Sequence, residues 1–131
     1  MIPKFRAWMK SLKWMCDVTN ISFDSKFVDI CQQGDTERYT EMSVEFDEIE
    51  LMQSTGLFDR NGKEIFEKDI LDYKGRKAIV KWHGSYASFI YRFVDELHKR
   101  KPEWDPLYLV YMRCEVIGNV YENKELLEDK E

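Results

Sequence analysis

The chain has 131 residues, of which 44% are apolar, 15% aromatic and 34% charged, and its 20 Lys and Arg against 25 Asp and Glu give a net charge of −5. That apolar and aromatic content excludes a disordered chain, and the length suits a single domain, 1–131, whose one core buries roughly 65–70% of the unfolded surface. The negative balance excludes a protein that holds phosphates by overall charge alone, and no apolar run approaches the roughly 18 residues of a membrane span, so a cytoplasmic protein with no membrane partner is expected.

The charge lies in blocks. Residues 1–15 carry Lys4, Arg6, Lys10 and Lys13 with no acid, and residues 35–50 carry seven acids against Arg38. Residues 74–101 hold eight Lys and Arg against Asp95 and Glu96, and 115–131 are acidic again. The simplest expectation is that acidic and basic segments are neighbouring solvated faces that lean on each other. Cys16, Cys31 and Cys114 are an odd number at wide spacing, which fits reduced, partly buried thiols rather than a disulfide framework or a zinc knuckle.

Taken in chain order, the pattern is mostly of strands. Met42, Val44 and Phe46 alternate with acids, which predicts a strand over 41–46, although Tyr39, Met42, Phe46 and Ile49 would also suit a helix. Asn61-Gly62 predicts a tight hairpin in which both residues take positive φ, and Lys74-Gly75 a second reversal. In 76–83, Ala78, Val80 and Trp82 fall on one face and Lys77, Lys81 and His83 on the other. After a turn at Gly84-Ser85, residues 86–93 place Ala87, Phe89, Tyr91 and Phe93 inward and Tyr86, Ser88, Ile90 and Arg92 outward, completing a hairpin. A short helix is expected over 94–101, a central strand over 107–116 and one helical turn within 124–131. The fold class is mainly β, bordering on α+β: a small, strongly bent sheet or partly open β-barrel with one or two short helices.

The stretch from Glu50 to Leu71, with Gly56-Leu57-Phe58-Asp59-Arg60-Asn61-Gly62 and Glu67-Lys68-Asp69 within it, resembles the signature of the YopX family of phage and prophage proteins. Lys4-Phe5-Arg6-Ala7-Trp8 is similar to that family's first strand, and Glu115-Val116-Ile117-Gly118-Asn119-Val120-Tyr121-Glu122-Asn123 to its closing block. The resemblance implies a β architecture of the YopX type and a phage or prophage accessory role, and it carries over no catalytic residue. Lys68 stands where the family usually has Gly, a position suited to positive φ, so the turn is expected to strain or relax. Turn and core demands account for the signature without an active site: Asp59 and Asp69 suit hydrogen bonds to backbone N–H groups at bends.

Other chemistry finds little support. Asp59-x-Asn61-Gly62 opens like a calcium loop, but its sixth position is Glu64 and its twelfth Ile70. His83 and His98 lie fifteen residues apart with no Cys-x-x-Cys, no cysteine sits beside a Gly-rich elbow or a helix start that would lower its pKa, and Glu64, Glu67, Asp69 and Glu115 are unremarkable among 25 acids. Neither metal nor cofactor is expected. A non-catalytic binding module follows, acting on a second copy of itself or on a host protein because large aromatics and Met are abundant. The alternative is nucleic-acid binding by the basic 74–101 segment, with Lys77, Lys81, His83, Tyr86, Ser88 and Arg92 as the candidate face.

Overall fold

The computed structural model describes residues 4–100 and 103–128, and the chain divides into two compact units, Met1–Gln53 and Ser54–Glu131. In the first, β1 (Phe5–Met9), β2 (Trp14–Ser22), β3 (Phe27–Gln32) and β4 (Met42–Glu45) form an antiparallel meander, and the first half of β5 (Ile49–Phe58) pairs with the other side of β1. Alternation puts Ala7, Cys16, Val28, Ile30, Val44 and Ile49 on one face as a core, with Trp14, Val18 and Phe46 packed against it. The 33–41 loop is tied by Asp35, whose carboxylate accepts from the Thr40 N–H at 2.7 Å and hydroxyl at 2.6 Å. The Thr40 hydroxyl, then its N–H, holds that carboxyl below the usual carboxylate range.

In the second unit the rest of β5 pairs with β6 (Glu64–Phe66). The strands β7 (Asp69–Tyr73), β8 (Arg76–His83), β9 (Ser88–Phe93), β10 (Asp105–Pro106) and β11 (Glu115–Asn119) make a sheet in the order β10-β9-β8-β7-β11. All pairings are antiparallel. One face buries Leu71, Ala78, Val80 and Tyr91 against Ile65, Leu107, Val110 and Cys114. The other buries Ile70, Ile79 and Val94 under Leu97, Val120, Leu126 and Leu127. Each fully buried Leu, Ile or Val contributes roughly 1.5–3 kcal/mol, so both faces stabilise this sheet. The protein is mainly β, and neither sheet closes into a barrel.

Strands at 42–45, 76–83 and 88–93 agree with the sequence pattern. The segment 107–116 does not. It forms two 3-10 turns, Leu107–Leu109 and Tyr111–Arg113, before β11, which is an edge strand. Leu107, Val110 and Cys114 are buried while Tyr108, Leu109 and Met112 are exposed, a helix-like period that β-branched and aromatic composition conceals. The helix expected over 94–101 reduces to a 3-10 turn at Val94–Glu96, because too few apolar positions share one face; residue 101 lies outside the described residues. The closing turn is a 3-10 turn at Lys124–Leu127, and residues 129–131 lie outside the described residues.

The two hairpins also exchange roles. Lys74 and Gly75 both have positive φ (52° and 81°), the geometry of a two-residue type I′ turn. At Asn61-Gly62 only Gly62 does (82°), because Asp59 N–H donates to the Lys63 carbonyl and Gly62 N–H to the Asp59 carbonyl, a three-residue loop needing one left-handed position.

Candidate functional site

The signature hairpin is a closed hydrogen-bond system. The buried Asp59 carboxylate accepts from three backbone N–H groups: Asn61 (2.9 Å), Lys63 (2.8 Å) and, from β11, Val116 (2.8 Å). Burial pushes its pKa up, but those three bonds outweigh burial and hold it below the usual range. Asp69 accepts from Phe66 N–H at 2.8 Å, Glu64 from the Ser54 hydroxyl at 2.5 Å, and Glu115 from Arg60 at 2.7 Å and Asn61 at 3.2 Å. Four acids that sequence reading set aside as chance neighbours or turn formers are thus spent on structure.

The thiols are similarly quiet. All three cysteines are free and buried, and desolvation first of all pushes Cys16 and Cys114 up to about 11, far from the thiolate a nucleophile needs. Among the described residues no group of three or more His, Cys, Asp or Glu is placed to hold a metal ion. Surface depressions of about 360 Å³ beside Lys26, Phe27 and Phe46 and of about 450 Å³ beside Phe5, Ile21 and Phe23 lie in the first unit, and neither is lined by a His or Cys.

The polar valence left unspent lies on β8 and β9. Their register pairs Ile79 with Arg92, Lys81 with Ile90 and His83 with Ser88, so Lys77, Lys81, His83, Ser88 and Arg92 share one face, as alternation predicts. This face is less solvated than expected: those five residues are half-buried and Ile79 and Ile90 fully so, leaving Tyr86, 67% exposed, as its open member. On the opposite face Trp82 was expected inside, yet it is 47% exposed, because it lies near the end of β8 and meets Phe89 edge-on.

The basic segment sorts into two groups. Arg76 is engaged twice by Asp95, at 2.7 and 3.1 Å, and lies 3.5 Å over the Phe93 ring; Lys99 pairs with Glu96 at 2.8 Å; Lys77 reaches the Glu128 carbonyl at 3.4 Å. The acids that neutralise Arg76 and Lys99 therefore come from within 74–101 itself, rather than from the acidic 35–50 block. Lys81 and Arg92 form no ion pair among the described residues, and neither does Lys68, which the sequence reading left out of the face. Burial first, and then the nearby charges of Arg92 and Lys68, push the Lys81 pKa down. Arg92 Nε and His83 Nδ1 are buried without a hydrogen-bond partner.

Local structure fixes the members in place. Lys68 keeps the left-handed conformation, φ 69°, a cost of roughly 1–2 kcal/mol for a side chain with Cβ. Its N–H donates to Val80 and its carbonyl accepts from Val120, which clamps the turn beside β8. A 3-10 turn, Gly84–Tyr86, ended by left-handed Ala87, carries Tyr86 back over His83 with ring centroids 4.9 Å apart. Trp104, which leads into β10, completes a triad at 4.7 Å from His83 and 4.9 Å from Tyr86. Sequence reading missed Trp104 because its contact with this face is tertiary; the only hint was an aromatic ring beside the basic block. Ser88 is on the face, but its hydroxyl turns to the Phe89 carbonyl at 3.3 Å.

The class so defined is an antiparallel β protein with open sheets, a structural signature hairpin, and one face where Lys81 and Arg92, without an ion pair among the described residues, lie beside aromatic rings. The chain belongs to the YopX family, whose model, YopX protein, matches residues 4–128. It is similar to protein EF1440 from Enterococcus faecalis, whose crystal structure is 32% identical, with a TM-score of 0.60 over 98% of this chain and 99% of that one. No curated protein matches the chain. Among the described residues no helix is long and apolar enough to cross a membrane.

Proposed function

We propose that the protein is a non-catalytic binding module whose β8–β9 face holds the phosphate backbone of a nucleic acid. One observation carries this reading: Lys68, Lys81 and Arg92 lie together with no ion pair to an acid among the described residues, in a protein whose net charge is −5. Clustered like charges repel and cost desolvation, so they need an anionic partner to be worth keeping; phosphate oxygens supply both charge and acceptors. The abundance of aromatics and Met in the sequence favours a second copy or a host protein as partner, and the cation cluster favours nucleic acid over both.

The test is fluorescence polarisation with labelled single- and double-stranded DNA and RNA at low and moderate salt. With three phosphate contacts, each contributing about 0.7 to the salt slope for a single strand, log affinity should fall with log salt at a slope of about −2. Replacing Lys81 and Arg92 together by Ala should remove most of the binding. No binding by roughly 100 µM at low salt, the weak end of non-specific affinity, overturns the reading.

A protein partner is the second reading, supported by Tyr108, Leu109 and Met112, which stand 59%, 59% and 60% exposed on consecutive 3-10 turns. Self-association through this ridge would show as a dimer in light scattering coupled to size exclusion. A monomer across concentrations removes that version.

A further inference from the structure

The rings beside the cations say which form of nucleic acid the face suits, an inference that rests on the phosphate-binding reading above. Tyr86 is 67% exposed but is not a loose side chain: the His83 and Trp104 rings both pack against it at 4.9 Å, and those two rings meet at 4.7 Å. Left-handed Ala87 (φ 48°), with its N–H bonded to the Gly84 carbonyl at 3.2 Å, fixes the turn beneath it. A ring held rigid before binding loses little entropy when a flat partner stacks on it.

His83 and Lys81 are successive positions on this face of β8, about 7 Å apart along the strand, which sets the rings next to the cations. His83 also keeps a buried Nδ1 with no hydrogen-bond partner at that junction. We infer that Tyr86, buttressed by His83 and Trp104, is a stacking platform for one unpaired base, with Lys81, Arg92 and Lys68 gripping the adjoining phosphates, so that the partner is single-stranded nucleic acid. Bases in a duplex are already stacked on each other and cannot offer a face to Tyr86 without being unpaired.

Four labelled probes of equal length test this: a dT strand, a rU strand, an abasic DNA strand with the same phosphates, and a DNA duplex. The dT or rU strand should bind at least fivefold more tightly than the abasic strand and the duplex. Tyr86→Ala should lose at least fivefold on the base-bearing strand and little on the abasic one, and Tyr86→Phe should retain the wild-type pattern, with circular dichroism checking that each variant folds. If the abasic strand or duplex binds as well as dT and rU, and Lys81→Ala with Arg92→Ala still abolishes binding, the stacking platform is overturned and the phosphate-binding reading stands. If none of the four probes binds, both fall.

Discussion

The Asp59 hairpin and the β8–β9 face are both polar, and they differ in how completely their hydrogen-bonding capacity is used. At the hairpin one carboxylate serves three backbone donors, and Glu115 next to it accepts from both Arg60 and Asn61. On the face Lys81 and Arg92 have no ion pair among the described residues, and one ring nitrogen and one guanidinium nitrogen are buried there without a hydrogen-bond partner. The most recognisable motif of the chain is therefore the one with the least capacity left for a ligand. Satisfied polar groups stabilise a fold, and unsatisfied ones mark a place where a ligand can still supply the missing partner.

This contrast is most easily broken at Asp59. Asp59→Ala strands three backbone donors, two in the hairpin and one on β11, and should cost about 3 kcal/mol in denaturant unfolding. A cost under about 1 kcal/mol would show that the hairpin is not the fold's anchor. The carboxyl's pKa is depressed in the folded state, so its contribution is fully present above the unfolded carboxylate pKa, roughly 4, and is lost as pH falls through the lower folded value. Asp59→Asn should accordingly flatten the acid limb of the stability profile below about pH 4.

Gly118→Ala probes the closing block of the same signature. A Cβ there lands on the Asn123 side chain, whose Oδ1 accepts the Asn119 N–H at 3.0 Å. Displacing that amide should cost about 2 kcal/mol, read as a lower denaturation midpoint, without touching nucleic-acid affinity. A loss of affinity at matched folding would blur the line between the two regions. Lys68→Gly should go the other way. It removes the strain of a side chain at φ 69° and should gain about 1 kcal/mol, while lowering the salt slope by about 0.7 because one phosphate contact is gone.

The same contrast explains what could be read in advance. Strand alternation placed Lys77, Lys81, His83, Ser88 and Arg92 on one face, because a period of two is local information that survives any tertiary arrangement. Asp59 and Asp69 were legible as turn acceptors for the same reason, since the donors Asn61, Lys63 and Phe66 lie within four residues of the carboxylates they reach. The burial of Ile79 under Val120, Leu126 and Leu127 was not legible, and neither was the meeting of Trp104 with His83. Both depend on segments distant along the chain. The 107–116 stretch misled for a further reason: Val110 and the aromatics favour a strand on composition, while the spacing of Leu107, Val110 and Cys114 obeys the 3-10 turns that the core imposed.

The smallest effect is the sharpest test, because its sign matters more than its size. Arg92→Met keeps an unbranched stem over Ile79, its partner across β8, and deletes a guanidinium whose Nε is buried with nothing to bond. Removing a buried donor that has no partner returns its desolvation cost, so unfolding should show a gain of about 0.5 kcal/mol, and relief of repulsion with Lys81 adds in the same direction. Affinity for a single strand should fall in the same variant. A residue that weakens the fold while strengthening binding is held for the partner, whereas a residue that only packs would lose stability on replacement and leave binding unchanged. If Arg92→Met destabilises the protein by 1 kcal/mol or more, Arg92 belongs with Asp59 as a structural group, and the distinction between the two regions fails at its most informative residue.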